Sequence, residues 1–347
     1  MRPKIVLVGL GNVGREFLRL LSAKSSFLED SYGVAPLLTG VITRTRGALC
    51  NSEGLKEASI LSWHRSKSYT PQEGEEIFAG GATEDLIYML DYDILVECTR
   101  NDYERGQPGA GYMERALSRG AHVVTTNRGA VAYYYQELQK IAREMKRRFL
   151  YEGSVLSGIP LFSLCRNALR GASILSFEGA LSGTCNYMLH VISQGASFDE
   201  ALMEAQRKGY AEPDPCIDID GLESALKGMI VAQDFMGAGK DIFSRVSIEG
   251  IRQITPSSME TARRKGNSIR LITRITRDSR GCSLRVAPEM IPNNHPLASI
   301  EGVTCGVLLT TDLHGDLCLT GSGVGGRSTA AAILNDILEI FPEKLRE

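Results

Sequence analysis

The chain has 347 residues, of which 23% are charged, and a formal net charge of −2. This length leaves room for two domains, and the balanced charge gives no basic surplus to hold nucleic acid. No eighteen-residue apolar run is present, so no membrane span is expected.

The start, Met1-Arg2-Pro3, runs straight into apolar residues without a signal-peptide pattern. The 8 cysteines are scattered with no Cys-x-x-Cys pair. Buried thiols in a reducing cytoplasm fit that usage better than disulfides or zinc. Residues 5–8 read as a fully buried strand. Gly9, Gly11 and Gly14 follow, and then Phe17, Leu18 and Leu21 at helical spacing. Gly-x-Gly-x-x-Gly between a strand and a helix is a dinucleotide-binding turn. Gly9 permits the tight turn, Gly11 lets a pyrophosphate approach the main chain beside Asn12 and Val13, and Gly14 lets the helix pack on the strand.

A parallel strand is expected at 37–43. Its end, Thr43-Arg44-Thr45-Arg46, lacks the acid that bonds a ribose 2′-hydroxyl. Arg44 there can pair with a 2′-phosphate, which favours NADP over NAD; ordinary loop charges fit the same residues. Residues 51–82, with Trp63 and His64, read as a polar excursion with some helix and no assigned chemistry. Strands at 94–99 and 122–126 alternate with helices at 112–118 and 131–146, and a last strand is expected at 149–153. The alternation predicts a doubly wound parallel sheet, with Thr99, Asn127 and Arg128 at strand ends facing the cofactor; a polar turn capping the helix at 131–146 fits Asn127 and Arg128 equally.

Composition shifts after 152. Strands expected near 173–178, 269–277, 282–288, 304–311 and 315–320 are antiparallel in pattern, with helices at 185–194 and 197–208, which predicts a second, α+β domain. A second glycine cluster at 321–326 opens an apolar helix, 328–340, expected to return to the first domain and close over the cofactor. The expected division is 1–152 for the dinucleotide-binding domain, completed by about 305–347, and 153–304 for the second domain.

Residues 209–227 carry five carboxylates, Glu212, Asp214, Asp218, Asp220 and Glu223. Pro213 and Pro215 push the segment extended. Asp220 stands three residues before Glu223, the spacing of an N-cap with its capping-box partner. Lys227 is one turn after Glu223, bordering an apolar stripe of Leu222, Ala225, Leu226, Met229 and Ile230. Taken alone, the pair reads as an exposed helix salt bridge contributing about 0.3–0.5 kcal/mol; the sharper alternative is a substrate pocket with a partly desolvated lysine.

Six segments in order carry a resemblance: residues 9–14, 123–129 (Val-Val-Thr-Thr-Asn-Arg-Gly), 151–160, 181–187 (Leu-Ser-Gly-Thr-Cys-Asn-Tyr), 209–227, and 321–326 with Ser328-Thr329. Together they resemble homoserine dehydrogenase over almost the full chain. The resemblance implies reversible, nicotinamide-linked reduction of L-aspartate 4-semialdehyde to L-homoserine, in threonine, methionine and isoleucine biosynthesis, by a cytoplasmic homodimer whose second domain binds substrate and dimerises.

It also implies site roles. Lys227 transfers the proton, and Glu212, Glu223, Thr184 and Asp218 form the substrate site. Gly9, Gly11, Asn12, Val13, Gly14, Arg44, Thr99, Arg128 and Gly325 form the cofactor site. A sodium or potassium ion is held at Glu152, Val155, Ser157 and Ile159. Two departures stand out: the family's Thr-Ala-Asn-Lys ends here in Arg128, and Glu223 replaces a usual Asp. Arginine stays charged and cannot shuttle a proton. The departures keep open a relative acting on a different amino-acid semialdehyde, and a non-catalytic NADP-binding sensor forms a third reading.

Overall fold

The computed structural model describes residues 1–341 except Lys67, Arg280 and Val324. Two compact units result: Met1–Ser154 joined by the segment from Gly326 onward, and Val155–Gly325.

The first unit opens with β1 (Lys4–Val8), α1 (Asn12–Tyr32), β2 (Leu37–Thr43), β3 (Gly47–Cys50), α2 (Glu57–Arg65), β4 (Glu76–Phe78) and α3 (Thr83–Met89). It continues with β5 (Ile94–Glu97), α4 (Gly109–Ser118), β6 (His122–Thr125), α5 (Arg128–Glu144) and β7 (Phe149–Leu150). The sheet order is β4-β3-β2-β1-β5-β6-β7. Strands β2, β1, β5, β6 and β7 run parallel. The chain winds outward from β1 and returns at β5, so the switch point lies between those two strands, where an open α/β sheet takes its ligand. Their continuous burial matches strands covered on both faces.

The 51–82 excursion differs from its polar appearance. Its strand β4 pairs antiparallel with β3, which precedes the excursion, and the two extend the sheet beyond β2. Trp63 is buried at 2% exposure in one core cluster with Phe17, Leu18 and Ile60. The indole is core, set by the apolar face of α2.

The second unit holds α6 (Leu161–Asn167), β8 (Ile174–Ala180), α7 (Gly183–Ser193), α8 (Phe198–Arg207), α9 (Cys216–Ile219) and α10 (Leu222–Phe235). Then come β9 (Val246–Ile248), α11 (Pro256–Arg264), β10 (Asn267–Asp278), β11 (Gly281–Pro292), β12 (Thr304–Thr311) and β13 (Gly315–Ser322). The sheet order is β13-β12-β8-β10-β11-β9, antiparallel except for the β11–β9 pair. Met188, Ile192, Ile219, Ala225, Leu271 and Val286 share its core. A Cβ at Gly228 would come within 2.6 Å of Leu284 and 2.7 Å of Thr273, so glycine lets α10 lie directly on β10 and β11.

Several boundaries differ from expectation. β12 pairs with β8, so residues 305–322 belong to the second sheet, and the return to the first unit starts only at Gly326. The returning helix, α12 (Gly326–Ile340), places Ala330, Ile333 and Ile337 in the cluster of Phe17, Leu18 and Leu21. The expected strand at 149–153 stops at Leu150, and Glu152–Ser154 is a single 3-10 turn.

Candidate active site

In the glycine turn of the first unit, Gly9 and Gly14 have the steric roles their spacing predicts. Gly9 has φ +96°, and a Cβ there would lie 2.6 Å from the Cys98 carbonyl oxygen. A Cβ on Gly14 would meet the Gly9 carbonyl oxygen at 2.3 Å. Gly11, the N-cap of α1, has nothing within 4 Å of such an atom. It is exposed together with Asn12. No acid occupies the first turn of α1 to compete for an anion. Open space at a helix start without a side-chain cap fits a pyrophosphate.

At the end of β2 the two arginines separate. The Arg46 guanidinium donates to the Ser66 carbonyl, 2.5 Å away, tying the β2–β3 turn to the end of α2. Arg44 is exposed on the same turn. His64 is held below its usual pKa by burial, with Arg15, Arg46 and Arg65 adding to the effect, so it is neutral at pH 7.

On the other side of the switch point, Asn127 caps α5. Its Oδ1 accepts from the Ala130 N–H at 3.1 Å, and half-buried Arg128 is the first helical residue. Thr99 is half-buried beyond β5.

In the second unit four of the five expected residues form two pairs, Lys227 with Glu223 and Thr184 with Asp218. Lys227 is 4% exposed on α10. Its ammonium donates to the Leu181 carbonyl at 2.7 Å and lies 3.3 Å from Glu223 Oε2. The pair is buried, not the exposed salt bridge its spacing suggests in isolation. Thr184, in the first turn of α7, donates its hydroxyl to the Tyr210 carbonyl at 2.7 Å and Asp218 Oδ2 at 2.9 Å. One proton shared between two acceptors makes Thr184 a clasp that holds the acidic segment on α7. Cys185, beside Thr184, is pushed up to about 12 by burial and stays a neutral thiol. Glu212 is exposed, its carbonyl accepting from Gln206 at 3.1 Å.

The capping box at 220–223 does not form. Gly221, at φ +86°, is the N-cap of α10 with no side-chain cap bond. The Asp220 carboxylate instead pairs with Arg252, Nη2 to Oδ2 at 2.9 Å. Pro215 does not prevent a helix either; it stands at the N-cap of α9, where a missing N–H costs nothing.

The expected cation ligands fall in different units. Glu152, 2% exposed, belongs to the first. Val155, Ser157 and Ile159 belong to the second, as does Gly325 at φ +120°. The Ser157 hydroxyl donates to the Gly323 carbonyl at 3.1 Å, and the Ile159 carbonyl accepts from Leu161 at 2.9 Å. One carboxylate with neutral carbonyls is the donor chemistry of a hard cation. Among the described residues no group of three or more His, Cys, Asp or Glu could hold a metal. None of the described helices is long and apolar enough to cross a membrane.

The motifs agree with relatives of known name. A family model described as homoserine dehydrogenase matches residues 160–338, and one described as homoserine dehydrogenase, NAD binding domain, matches residues 9–152. The NAD(+)-dependent homoserine dehydrogenase of Pseudomonas canavaninivorans is 37% identical, over 99% of this chain and 97% of its own. The homoserine dehydrogenase of Methanocaldococcus jannaschii is 33% identical, over 97% and 98% respectively. A crystal structure from Archaeoglobus fulgidus has the same fold, with a TM-score of 0.86 at 31% identity, covering 97% of this chain and 99% of that one. With an open glycine turn in one unit, a buried lysine held by Glu223 and the Leu181 carbonyl in the other, and matches of this extent, the chain belongs to the homoserine dehydrogenase family of NAD(P)-linked oxidoreductases.

Proposed function

We propose that Lys227 is the proton-transferring residue of a cytoplasmic enzyme interconverting L-homoserine and L-aspartate 4-semialdehyde. The buried ammonium of Lys227, held by Leu181 and Glu223, carries this reading. A surface lysine has no need of such a site, and a sensor has no need of a poised proton donor. Glu223 and Asp218 supply negative charge for the substrate ammonium, and Glu212 adds a further carboxylate on the same segment. Thr184 keeps the segment in place. A bound nicotinamide supplies or accepts the hydride. Lys227 gives its proton to the carbonyl oxygen as charge develops there, and takes the hydroxyl proton in reverse. Turnover with homoserine and with aspartate semialdehyde, measured with both cofactors, tests the assignment; no turnover of either by a protein that binds NADPH would return it to the sensor reading.

Gly9, Gly11, Asn12, Val13 and Gly14 would hold the pyrophosphate, with Thr99, Arg128 and Gly325 completing the cofactor site. Arg44 gives the preference for NADP, since Arg46 is engaged by Ser66. The Pseudomonas relative named for NAD(+) sharpens the question. Arg44→Ala is expected to lower the ratio of kcat/KM for NADPH over NADH by about 10-fold, the loss of one charge-assisted hydrogen bond. A ratio equal to the parent's would leave Arg44 as a loop charge.

Arg128 favours a second reading, a relative tuned to another amino-acid semialdehyde. Arg128→Lys restores the family residue, and on the main reading homoserine oxidation changes by less than about 3-fold, because Arg128 acts only as fixed charge. A sharp rise would place the natural substrate elsewhere. The second unit is also proposed to form a homodimer, and Glu152, Val155, Ser157 and Ile159 to hold a sodium or potassium ion. A monomer mass in sedimentation would dismiss the dimer; a melting temperature indifferent to potassium against choline would dismiss the ion.

A further inference from the structure

Glu97 is the last residue of β5 and is wholly buried. Its Oε1 accepts from the Thr99 main-chain N–H at 2.9 Å and from the Thr99 hydroxyl. Its Oε2 accepts from the Thr125 hydroxyl at 2.7 Å, and Asn127 Nδ2 stands 3.4 Å from Oε1. Thr125 in turn accepts from the Asn127 N–H at 3.0 Å. The carboxylate therefore stitches together the loops that follow β5 and β6.

Burial raises the Glu97 pKa, and its donors oppose that rise. The direction of the Thr99 bond does not depend on the charge. The main-chain N–H and the hydroxyl of Thr99 both converge on Oε1, where an unprotonated oxygen accepts best, and a proton is better placed on Oε2 beside Thr125. The Thr99 hydroxyl proton is thus committed inward. Asn127 Nδ2, 3.4 Å from Thr99 Oγ1, is a long and weak donor to it. Whatever meets the outer side of this half-buried oxygen must be a donor.

A dinucleotide crossing the switch point with its 2′ end at β2 brings its other end to β5 and β6. We propose that Glu97 is a positioning residue that makes the Thr99 hydroxyl an acceptor, so that it takes the carboxamide N–H of a bound nicotinamide. This rests on the reading of the first unit as the nicotinamide dinucleotide site.

The test compares, by calorimetry on the full chain, Kd values for NADP+ and its 3-acetylpyridine analogue. The analogue keeps the carbonyl and replaces the amide NH2 with a methyl group. The parent is expected to prefer NADP+ by roughly 3- to 10-fold, the range of one net hydrogen bond. Glu97→Gln, whose carbonyl can replace Oε1, keeps that preference, whereas Glu97→Met removes the acceptor and loses it. Glu97→Met also leaves the Thr99 N–H unpaired and can fail to fold; Thr99→Val then decides, losing the preference while Thr99→Ser keeps it. Were Thr99 instead a donor to the carboxamide oxygen, Thr99→Val would weaken both ligands equally. An unchanged ratio in Thr99→Val, or a parent that binds both ligands alike, overturns the inference. Failure of the parent to bind either ligand removes the reading of the unit, and this inference with it.

Discussion

Replacing Lys227 by Ala is expected to lower kcat by about 100- to 10,000-fold, the usual worth of a positioned proton donor, while Kd for NADPH stays within about 2-fold of the parent. The two readouts separate because Lys227 lies on α10 of the second unit and the glycine turn lies in the first. The substitution also breaks a buried pair. Leaving one partner of such a pair costs about 3–5 kcal/mol, and Glu223, with a side chain 12% exposed, would sit at the lower end by admitting water. The melting temperature should therefore fall. Lys227→Met fills the volume without the ammonium and controls for the cavity: it should match Ala in kcat and recover part of the stability. Turnover within a few-fold of the parent in both variants would give the proton transfer to another group.

Gly11→Val should weaken dinucleotide binding sharply and leave the fold intact. Gly11 has φ −79°, which any residue adopts, and an added Cβ meets no protein atom within 4 Å. The melting temperature is thus expected to stay within about 2 °C of the parent. The side chain would occupy the space over the α1 N–H groups. Losing two hydrogen bonds to a charged pyrophosphate, at about 1.5 kcal/mol each, weakens NADPH binding roughly 100-fold. Gly14→Ala makes the contrast, since its Cβ would stand 2.3 Å from the Gly9 carbonyl oxygen. That variant should lose stability as well as binding. A Gly11→Val protein with the parent's NADPH affinity would move the pyrophosphate off this turn.

The sequence disclosed what is local. Gly9 and Gly14 each carry a role dictated by a neighbour a few residues away or by the adjoining strand, and the buried strands around them read as such. Partners chosen at long range did not show. Asp220 has the spacing of a cap, but Arg252, thirty-two residues on, captures its carboxylate and leaves the cap to Gly221. β12 is buried along almost its whole length, and nothing in its residues says that it pairs with β8. The burial of the Lys227–Glu223 pair depends on Gly228 drawing α10 onto β10 and β11, which i,i+4 spacing cannot report. Glu97 did leave a trace: a carboxylate inside the run Ile94-Leu-Val-Glu97 is an acid in a strand with no exposed face, and such an acid must find donors.

The first unit draws its core from both ends of the chain. α12 contributes Ala330, Ile333 and Ile337 to the cluster built on Phe17 and Leu18, and the whole second unit is translated in between. On the ribosome, residues 155–325 emerge as one continuous stretch and can condense while α1 still waits for its cover. The nucleotide domain matures only after α12 has been made. Nascent chains halted before that helix would then withdraw little dinucleotide from the cell's pool, and quality control would meet an incomplete nucleotide fold beside a finished neighbour.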